Sequence, residues 1–499
     1  MIPQGFIKSN LLGMWIVAPE IVLTLAILVL LAASIFLRHR RHRPFFTWLG
    51  LAGLALALVP LATKLPMVPS GEAVLSSLFV WDEVTIIFKV FMVLTAAACI
   101  CLAHDSAEIE DSHYSEAIIL ILGVTVANMM LIASNDLLMV FLAFETMSIL
   151  CYLLVGLKAS RPPGGEAALK YVLYGAFTSG VMLFGFSLLF GLAGTTDIQH
   201  IARYVAQAAD QPSNQLLLVL SMIFFLAGML FKIASFPFHF WCPDVYQGAP
   251  TPVTAFLSVG PKAAGFILFI RLFLPIFSKA GDTSTFTGLP GIEWPYLMAL
   301  LSAATMTLGN LAALRQSNLK RMLAYSSIAH AGYLLMGLAA ASGQGLRAMA
   351  FYLVIYLFMN LGAFGVVSLL ASSQVGEEIE GYQGLGPAAP LLCVVMSVFL
   401  FSLIGLPPTG GFIGKVYLFG AVIEKGIYWL AVVAAVNTVV SLYFYLRIIK
   451  AMFLVQGAKQ TAAFELPWAS HVMLTVMAGL VILLGVYWQP LALLIARIP

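Results

Sequence analysis

The sequence predicts an all-α, polytopic membrane protein of about fourteen transmembrane helices. Of its 499 residues, 61% are hydrophobic and only 9% are charged, whereas a soluble domain carries about 25% charged residues. Apolar stretches of about 20 residues, long enough to cross the hydrocarbon core, recur along the whole chain. The loops between them are too short for a separate soluble domain, so we expect one membrane domain over residues 1–499.

An internal repeat predicts how the helices are grouped. The string YLLVGL at 152–157 recurs as YLLMGL at 333–338, and Tyr171 matches Tyr352 at the same offset. Each repeat would hold five helices, and because five is odd the two units must lie upside down relative to each other, as in many transporters. The predicted units are 15–116 for helices 1–3, 117–278 for helices 4–8, 293–453 for helices 9–13 and 469–495 for helix 14.

Helices 7 and 12 are predicted to be broken. Pro237 follows Lys232 by five residues, and the pair Pro407-Pro408 precedes Lys415 in a glycine-rich stretch. Proline removes a backbone donor and clashes with the preceding turn. Paired interrupted helices in two repeats are a pointer to an ion site. The alternative is a pair of plain kinks, but a lysine close to each break favours the functional interpretation.

Buried charges are the candidate functional groups, because a charge at the bilayer centre costs about 2.5–3.5 kcal/mol on insertion scales. Lys232, Lys262 and Lys415 lie inside apolar stretches, and Glu145 lies in the middle of helix 5. If helices 5 and 7 touch, Glu145 and Lys232 would pair, and their separation would set the proton affinity of the lysine. A static buried ion pair is the alternative. Repeated buried lysines with a buried glutamate point to proton movement.

Four other ionisable residues lie near membrane depth. Lys89 is close enough to a helix end to reach the interface, and Arg271 reads as an interfacial anchor because arginine hardly deprotonates. His330, inside helix 10, is expected to relay protons or bind water. His239, just past the first break, fits a relay or a capping role equally well.

Charge and cysteine patterns limit the other functions. The basic cluster at 38–43 and the excess of Lys and Arg on its side of the membrane predict that side to be cytoplasmic, with both termini on the opposite side. The five cysteines form no CxxC pair and no His/Cys cluster has metal spacing. We therefore expect no metal, flavin, iron–sulfur or nucleotide site in this chain, and no nucleic-acid partner.

Three strings carry a resemblance: FKIASFPFHFWCPDVYQGAPTPV (231–253), NLKRMLAYSSIAHAGYLLMG (318–337) and GLPPTGGFIGKVYLF (405–419). They resemble the antiporter-like, proton-translocating membrane subunits of respiratory complex I. The resemblance implies fourteen helices, two inverted five-helix repeats, and discontinuous helices 7 and 12. It implies a proton relay made of Glu145, Lys232, Lys262 and Lys415, with His239 and His330 in support.

The resemblance also implies an assembly. The chain would be one subunit of a proton-translocating NADH:quinone oxidoreductase, with no redox active site of its own. NADH, FMN, iron–sulfur clusters and quinone would be bound by other subunits. Its partners would be a neighbouring antiporter-like subunit, the small subunits next to the quinone module, and lipids of a bacterial inner membrane. A subunit of a multi-subunit cation/proton antiporter is the alternative function, and a passive assembly scaffold is a further one.

Overall fold

A computed structural model describes residues 16–37, 43–64, 72–75, 77–158, 162–279, 285–371, 375–456 and 467–498. The basic cluster on which the predicted orientation depends lies outside these residues, except for Arg43. Thirteen helices of the described chain are long and apolar enough to cross a membrane. A further span is broken into two shorter helices, which gives the fourteen that the sequence predicts.

We number the spans in chain order and give the pieces of a broken span the letters a and b. They are α1 (Ala18–Phe36), α2 (Arg43–Lys64), α3 (Glu83–Asp105), α4 (Tyr114–Ala133), α5 (Leu137–Gly156), α6 (Pro162–Ala193), α7a (Pro212–Lys232), α7b (Trp241–Gly248), α8 (Thr251–Phe277), α9 (Trp294–Ala313), α10 (Leu319–Ala339), α11 (Gly343–Ala371), α12a (Pro390–Ile404), α12b (Gly410–Glu424), α13 (Tyr428–Leu454) and α14 (Trp468–Val486).

Shorter elements join the spans. A surface helix, Ile198–Ala208, links α6 to α7a, and a π-helical turn, Phe269–Phe273, interrupts α8. A two-stranded antiparallel hairpin, β1 (Glu72–Val74) with β2 (Phe79–Trp81), precedes α3. The all-α prediction is correct apart from this hairpin, whose three-residue strands are too short to leave a period in the sequence. The remaining short helices are Asp111–His113, Ile379–Tyr382, Leu385–Ala388 and Gln489–Ile495.

Side-chain caps fix where several spans begin. Asp82 accepts a hydrogen bond from the Thr85 amide at the start of α3, and Asp136 accepts from the Leu138 amide at the start of α5. Asn318 does the same for the Arg321 amide at the start of α10. Asp and Asn are favoured at this position because they satisfy amides that have no partner within the helix.

Three spans form the interior of the bundle. About nine tenths of the most apolar windows of α8, α10 and α11 are buried, against roughly a fifth for α1 and a third for α6. Polar groups on these central helices are therefore shielded from lipid by the other spans. Lys262 on α8 and His330 on α10 lie in this interior.

The two predicted breaks are confirmed, and they share one backbone geometry. Just past α7a lies Ala234 at φ +56°, and just past α12a lies Gly405 at φ +87°, both in the left-handed region. In each case the next amide bonds back to a carbonyl five residues earlier, Ser235 to Leu230 at 2.8 Å and Leu406 to Phe401 at 3.0 Å. This is the Schellman arrangement that ends many helices. The prolines that follow then prevent the helix from continuing.

Candidate functional site

The predicted lysines lie in one buried row through the protein. Lys232 ends α7a, Lys262 is in the middle of α8, and Lys415 is in the first turns of α12b, with His330 of α10 between the last two. Each of the four side chains is at most 5% exposed. We call these four residues and the hydroxyl groups that contact them the central lane.

Lys262 is held by a hydroxyl group. Its ammonium donates to the Oγ of Ser327 at 2.5 Å and to the carbonyl of the same residue at 2.8 Å. The Tyr356 hydroxyl of α11 donates to the same Oγ at 2.8 Å. Ser327 therefore joins a lysine on α8 to a tyrosine on α11.

His330 continues the lane one turn further along α10. Its Nδ1 lies 2.7 Å from the Tyr352 hydroxyl and its Nε2 lies 3.3 Å from the Tyr445 hydroxyl. The imidazole ring is also 5.5 Å from the ring of Tyr356, measured between centroids. Neutral imidazole donates at one nitrogen and accepts at the other, so His330 can pass a proton between its two tyrosine partners.

Lys415 ends the lane at the second break. Its ammonium donates to two backbone carbonyls that the end of α12a leaves free, Ile404 at 2.7 Å and Leu403 at 3.2 Å. It also lies 4.4 Å above the centre of the Tyr333 ring, and that ring is 5.8 Å from His330. Polar or aromatic contacts thus connect Lys262 to Lys415 through α10.

Lys232 lies at the other end of the lane. Its ammonium donates to the Ser148 hydroxyl of α5 at 3.0 Å and lies 4.9 Å from the centre of the Phe144 ring. Its aliphatic stem packs on Gly265 of α8, where an added Cβ would be 3.5 Å from the lysine Cγ. Because Gly265 is one turn from Lys262 on α8, the stem of Lys232 lies next to the turn that carries Lys262.

Glu145 does not make the direct contact with Lys232 that the sequence suggested. Within the described chain no carboxylate lies within 4.0 Å of the Lys232 ammonium, although Glu145 is close enough to act on it electrostatically. Glu145 is half-buried, and its buried Oε1 has no hydrogen-bond partner. Ser148, one turn along α5, takes the place next to Lys232. A small shift of α5 or α7a would decide between the two partners.

His239 is buried but stands apart from the lane. Its ring packs on Phe240 at a centroid distance of 4.3 Å, and its Nδ1 has no hydrogen-bond partner in the structure. The structure gives it no bond to any of the lysines.

Lys89 does not extend to solvent. Its side chain is fully buried, and the ammonium lies 2.6 Å from Oε1 of Glu20, a residue of α1 that is itself 4% exposed. It also donates to the Ile16 carbonyl at 3.1 Å. This pair could not be predicted from the sequence because α1 and α3 are far apart along the chain.

Arg271, near the end of α8, is held by residues at the start of α3 and the end of α4. Its guanidinium forms a two-armed ion pair with Asp82 and donates to the Ile132 carbonyl at 3.0 Å. Burial raises the pKa of the Asp82 carboxyl, but the Arg271 charge and hydrogen bonds outweigh burial and hold that pKa below its ordinary value.

A second ionic cluster surrounds Glu108 in the loop between α3 and α4. Its carboxylate lies 2.5 Å from the Lys158 ammonium and 4.0 Å from that of Lys320, and it accepts from the Thr251 amide at 2.6 Å. Lys320 also lies 3.2 Å from Glu377. Burial raises the pKa of Glu108, but the two lysines lower it to about 2. We call these five residues the Glu108 cluster.

Several lane residues were missed from the sequence. They are hydroxyl-bearing side chains, common and individually uninformative: Ser148, Ser327, Tyr333, Tyr352, Tyr356 and Tyr445. One signal was present. Ser327, His330 and Tyr333 follow each other at intervals of three on a single helix, so they share a face.

Nothing in the described part of the chain groups three metal-ligating His, Cys, Asp or Glu side chains. All five cysteines are unpaired, and four of them are buried. The groups of the lane are lysine, imidazole and hydroxyl groups, which can exchange protons.

Comparison with known proteins identifies the family. The profile described as NADH:quinone oxidoreductase/Mrp antiporter, TM, matches residues 134–441. A relative from Anaeromyxobacter sp., named NADH-quinone oxidoreductase subunit N, is 40% identical over 95% of this chain and 94% of its own length.

Solved structures agree. A chain of respiratory complex I from Thermus thermophilus with bound aureothin superposes with a TM-score of 0.78 at 30% identity, over 96% of this chain and all of the other. A chain of the Mrp complex from Dietzia sp. superposes with a TM-score of 0.82 at 20% identity, over 97% and 96%, and shows the shared fold. The chain therefore belongs to the transmembrane family shared by NADH:quinone oxidoreductases and Mrp antiporters.

Proposed function

We propose that this chain is a proton-translocating membrane subunit of an NADH-quinone oxidoreductase, and that the central lane carries the protons. Relatives at about 40% identity over nearly the full length bear the name NADH-quinone oxidoreductase subunit N. Electron transfer from NADH to quinone takes place in other subunits. This chain couples that reaction to proton movement.

One observation carries the assignment of the lane. Buried lysines in this protein fall into two classes: Lys89 and Lys320 each lie next to a carboxylate, at 2.6 and 3.2 Å. Lys232, Lys262 and Lys415 have no carboxylate within 4.0 Å among the described residues, and they donate only to hydroxyls and carbonyls. A buried ammonium without a counter-ion is easily neutralised. Lysines that gain and lose a proton require such an environment.

Coulomb energies are large enough to drive the lane. Moving one proton against 100 mV costs about 2.3 kcal/mol. Two unit charges 4 Å apart interact by about 4 kcal/mol at an effective dielectric constant of 20. A movement that brings the Glu145 carboxylate into contact with Lys232 would favour the protonated lysine by that order of energy. Reversal would release the proton towards Lys262, His330 and Lys415.

The exposed face of α5 supports a partner in the membrane. Leu138, Leu142, Ile149 and Leu153 are each more than half exposed, and Glu145 lies in the same stripe of the helix. A carboxylate next to lipid is costly. A neighbouring membrane subunit covers this face in the assembled complex.

We propose that the protein lies in a bacterial inner membrane, with both termini on the non-cytoplasmic side. The excess of Lys and Arg in the loops on the α1–α2 side supports this orientation. Arg43 at the start of α2 lies 2.5 Å from Asp111 in the α3–α4 loop. The α1–α2 and α3–α4 loops are therefore at the same end of the bundle. NADH, FMN, iron–sulfur clusters and quinone belong to other subunits, so the purified chain should oxidise no NADH.

The test is proton pumping by the reconstituted complex with Lys232→Ala or Glu145→Ala in this chain. Each variant is expected to assemble and to lose most of its quinone-linked pumping. Lys425→Ala is the matched control, since Lys425 is an exposed lysine at the end of α12b. Normal pumping by both Lys232→Ala and Glu145→Ala, with assembly confirmed on native gels, would refute the function of the lane.

A further inference from the structure

Tyr152 of α5 has a buried hydroxyl group that makes no well-formed hydrogen bond, although Ser148 is close enough to interact with it. It lies next to Ser148, the residue that holds Lys232, and one turn beyond it on the helix face that carries Glu145. Buried polar atoms in proteins are nearly always hydrogen-bonded, so an unpartnered one calls for an explanation. The central lane does not use this hydroxyl.

The repeat gives Tyr152 a counterpart. Tyr152 and Tyr333 open the matching strings YLLVGL and YLLMGL. The Tyr333 ring lies against Lys415, the lysine of the second broken span. The Ser148 hydroxyl lies between Tyr152 and Lys232, the lysine of the first broken span. The two tyrosines therefore occupy equivalent places next to the two lysines at the ends of the lane.

A groove leads to Tyr152 from the α1–α2 end of the bundle. It has a volume of about 700 Å³, and its walls are apolar side chains of α1, α4, α5 and α6. Its rim carries Glu110, His113 and Glu116, with His113 and Glu116 in contact at 2.8 Å. Apart from this rim, Tyr152 is the polar side chain of the lining. The groove thus joins an ionisable rim to a hydroxyl group next to the lane.

Gly175 of α6 makes room for this hydroxyl. A Cβ added at Gly175 would lie 1.8 Å from the Tyr152 oxygen and 2.7 Å from the ring carbon that bears it. Only glycine permits the present position of the tyrosine. Ala168, Val172 and Gly175 follow at helical spacing, and the first two line the groove.

We propose that the Tyr152 hydroxyl is the proton donor through which the lane takes up protons from this groove. In each transfer the hydroxyl gives its proton towards Ser148 and Lys232 and regains one when water enters from the groove, so Tyr152 is unchanged after the cycle. The rim carboxylates and His113 collect protons from the α1–α2 side. This proposal rests on the proposed function, because it assumes that Lys232 is a proton carrier.

The experiment compares Tyr152→Phe, Gly175→Ala and Tyr171→Phe in the reconstituted complex, with NADH oxidation and proton transfer measured across a range of pH. Tyr152→Phe keeps the ring and removes only the hydroxyl, and a positioned proton donor contributes about 100-fold or more. We expect a loss of pumping of that order, a changed pH profile and a larger solvent deuterium isotope effect. Tyr171, the neighbouring ring at 4.9 Å, is the control and should retain pumping.

Gly175→Ala should reproduce the loss by displacing the hydroxyl, and the double variant should fall no further than Tyr152→Phe. If Gly175→Ala fails to assemble, Tyr152→Phe alone decides. Normal rate and pH profile in Tyr152→Phe while Lys232→Ala is inactive would overturn this inference and leave the proposed function intact. Normal pumping in Lys232→Ala would also overturn this inference, and normal pumping in both Lys232→Ala and Glu145→Ala would overturn the proposed function itself.

Discussion

Replacing Lys262 with arginine separates a lysine that must lose its proton from one that only supplies charge. Arginine can donate to the same two oxygens of Ser327 that now accept at 2.5 and 2.8 Å. The interactions of the charged form are then largely retained. What changes is the intrinsic proton affinity, since free arginine titrates about 2–3 pH units above free lysine.

This difference of about 2–3 pH units in pKa corresponds to about 3–4 kcal/mol, because one pH unit is worth about 1.4 kcal/mol. Release of a proton from residue 262 would become roughly 100- to 1000-fold less favourable. We therefore expect Lys262→Arg to lose pumping almost as completely as Lys262→Ala. A site that needs only a positive charge would tolerate arginine and reject alanine.

The assay is NADH-driven proton transfer by the complex in liposomes, with assembly checked on native gels. Lys89→Arg is the matched control. Lys89 is equally buried but is paired with Glu20 at 2.6 Å, so its role requires charge and arginine should preserve it. If Lys262→Arg pumps at the wild-type rate while Lys262→Ala does not, Lys262 is an electrostatic anchor and the relay must bypass it.

Three further predictions concern stability and the two breaks. The pKa of Glu108 is lowered from 4.5 to about 2, so its cluster contributes about 3 kcal/mol that is fully present above about pH 4.5 and is lost as the pH falls towards 2. Melting temperatures measured from about pH 6 to pH 3 should fall less steeply for Glu108→Gln than for the wild type, and equal slopes would contradict the argument. Gly405→Ala should cost about 1–2 kcal/mol for the left-handed backbone and displace Lys415, whose Cδ lies 2.8 Å from the position of the new Cβ, so pumping should fail in an assembled complex. Ala234→Gly is the converse change at φ +56° and should raise the melting temperature and retain pumping; a lower melting temperature would show that the backbone there is not strained.

Much of the fold could be predicted because the bilayer imposes it. Apolar stretches long enough to cross a membrane have few other stable forms, so the spans followed from composition and length. The breaks followed from Pro237 and Pro407, since proline acts locally and its effect does not depend on distant contacts. The hairpin before α3 was missed because its strands are three residues long.

In the site, the charged residues could be predicted but their neighbours could not. Buried charge identified Lys232, Lys262 and Lys415 because charge is rare at membrane depth. Serine and tyrosine are tolerated almost anywhere in a membrane helix, so Ser148 and Ser327 had no signal of their own. Partnerships across helices were also hidden. The sequence suggested Glu145 for Lys232, where the structure places Ser148, and it offered no partner for Lys89, which pairs with Glu20.

The Lys415 site is built from atoms that every amino acid possesses. Its two acceptors are the main-chain carbonyls of Leu403 and Ile404, which point at the ammonium because α12a ends at that place. Substitutions at 403 or 404 therefore leave the acceptors in place as long as the helix ends where it does. The residues that determine this site are Gly405 and the prolines that follow it, because they end the helix. The surrounding apolar residues can change without removing the two acceptors. Distant relatives of this protein should therefore be recognised by the glycine and prolines at 405–408 rather than by the side chains around the lysine.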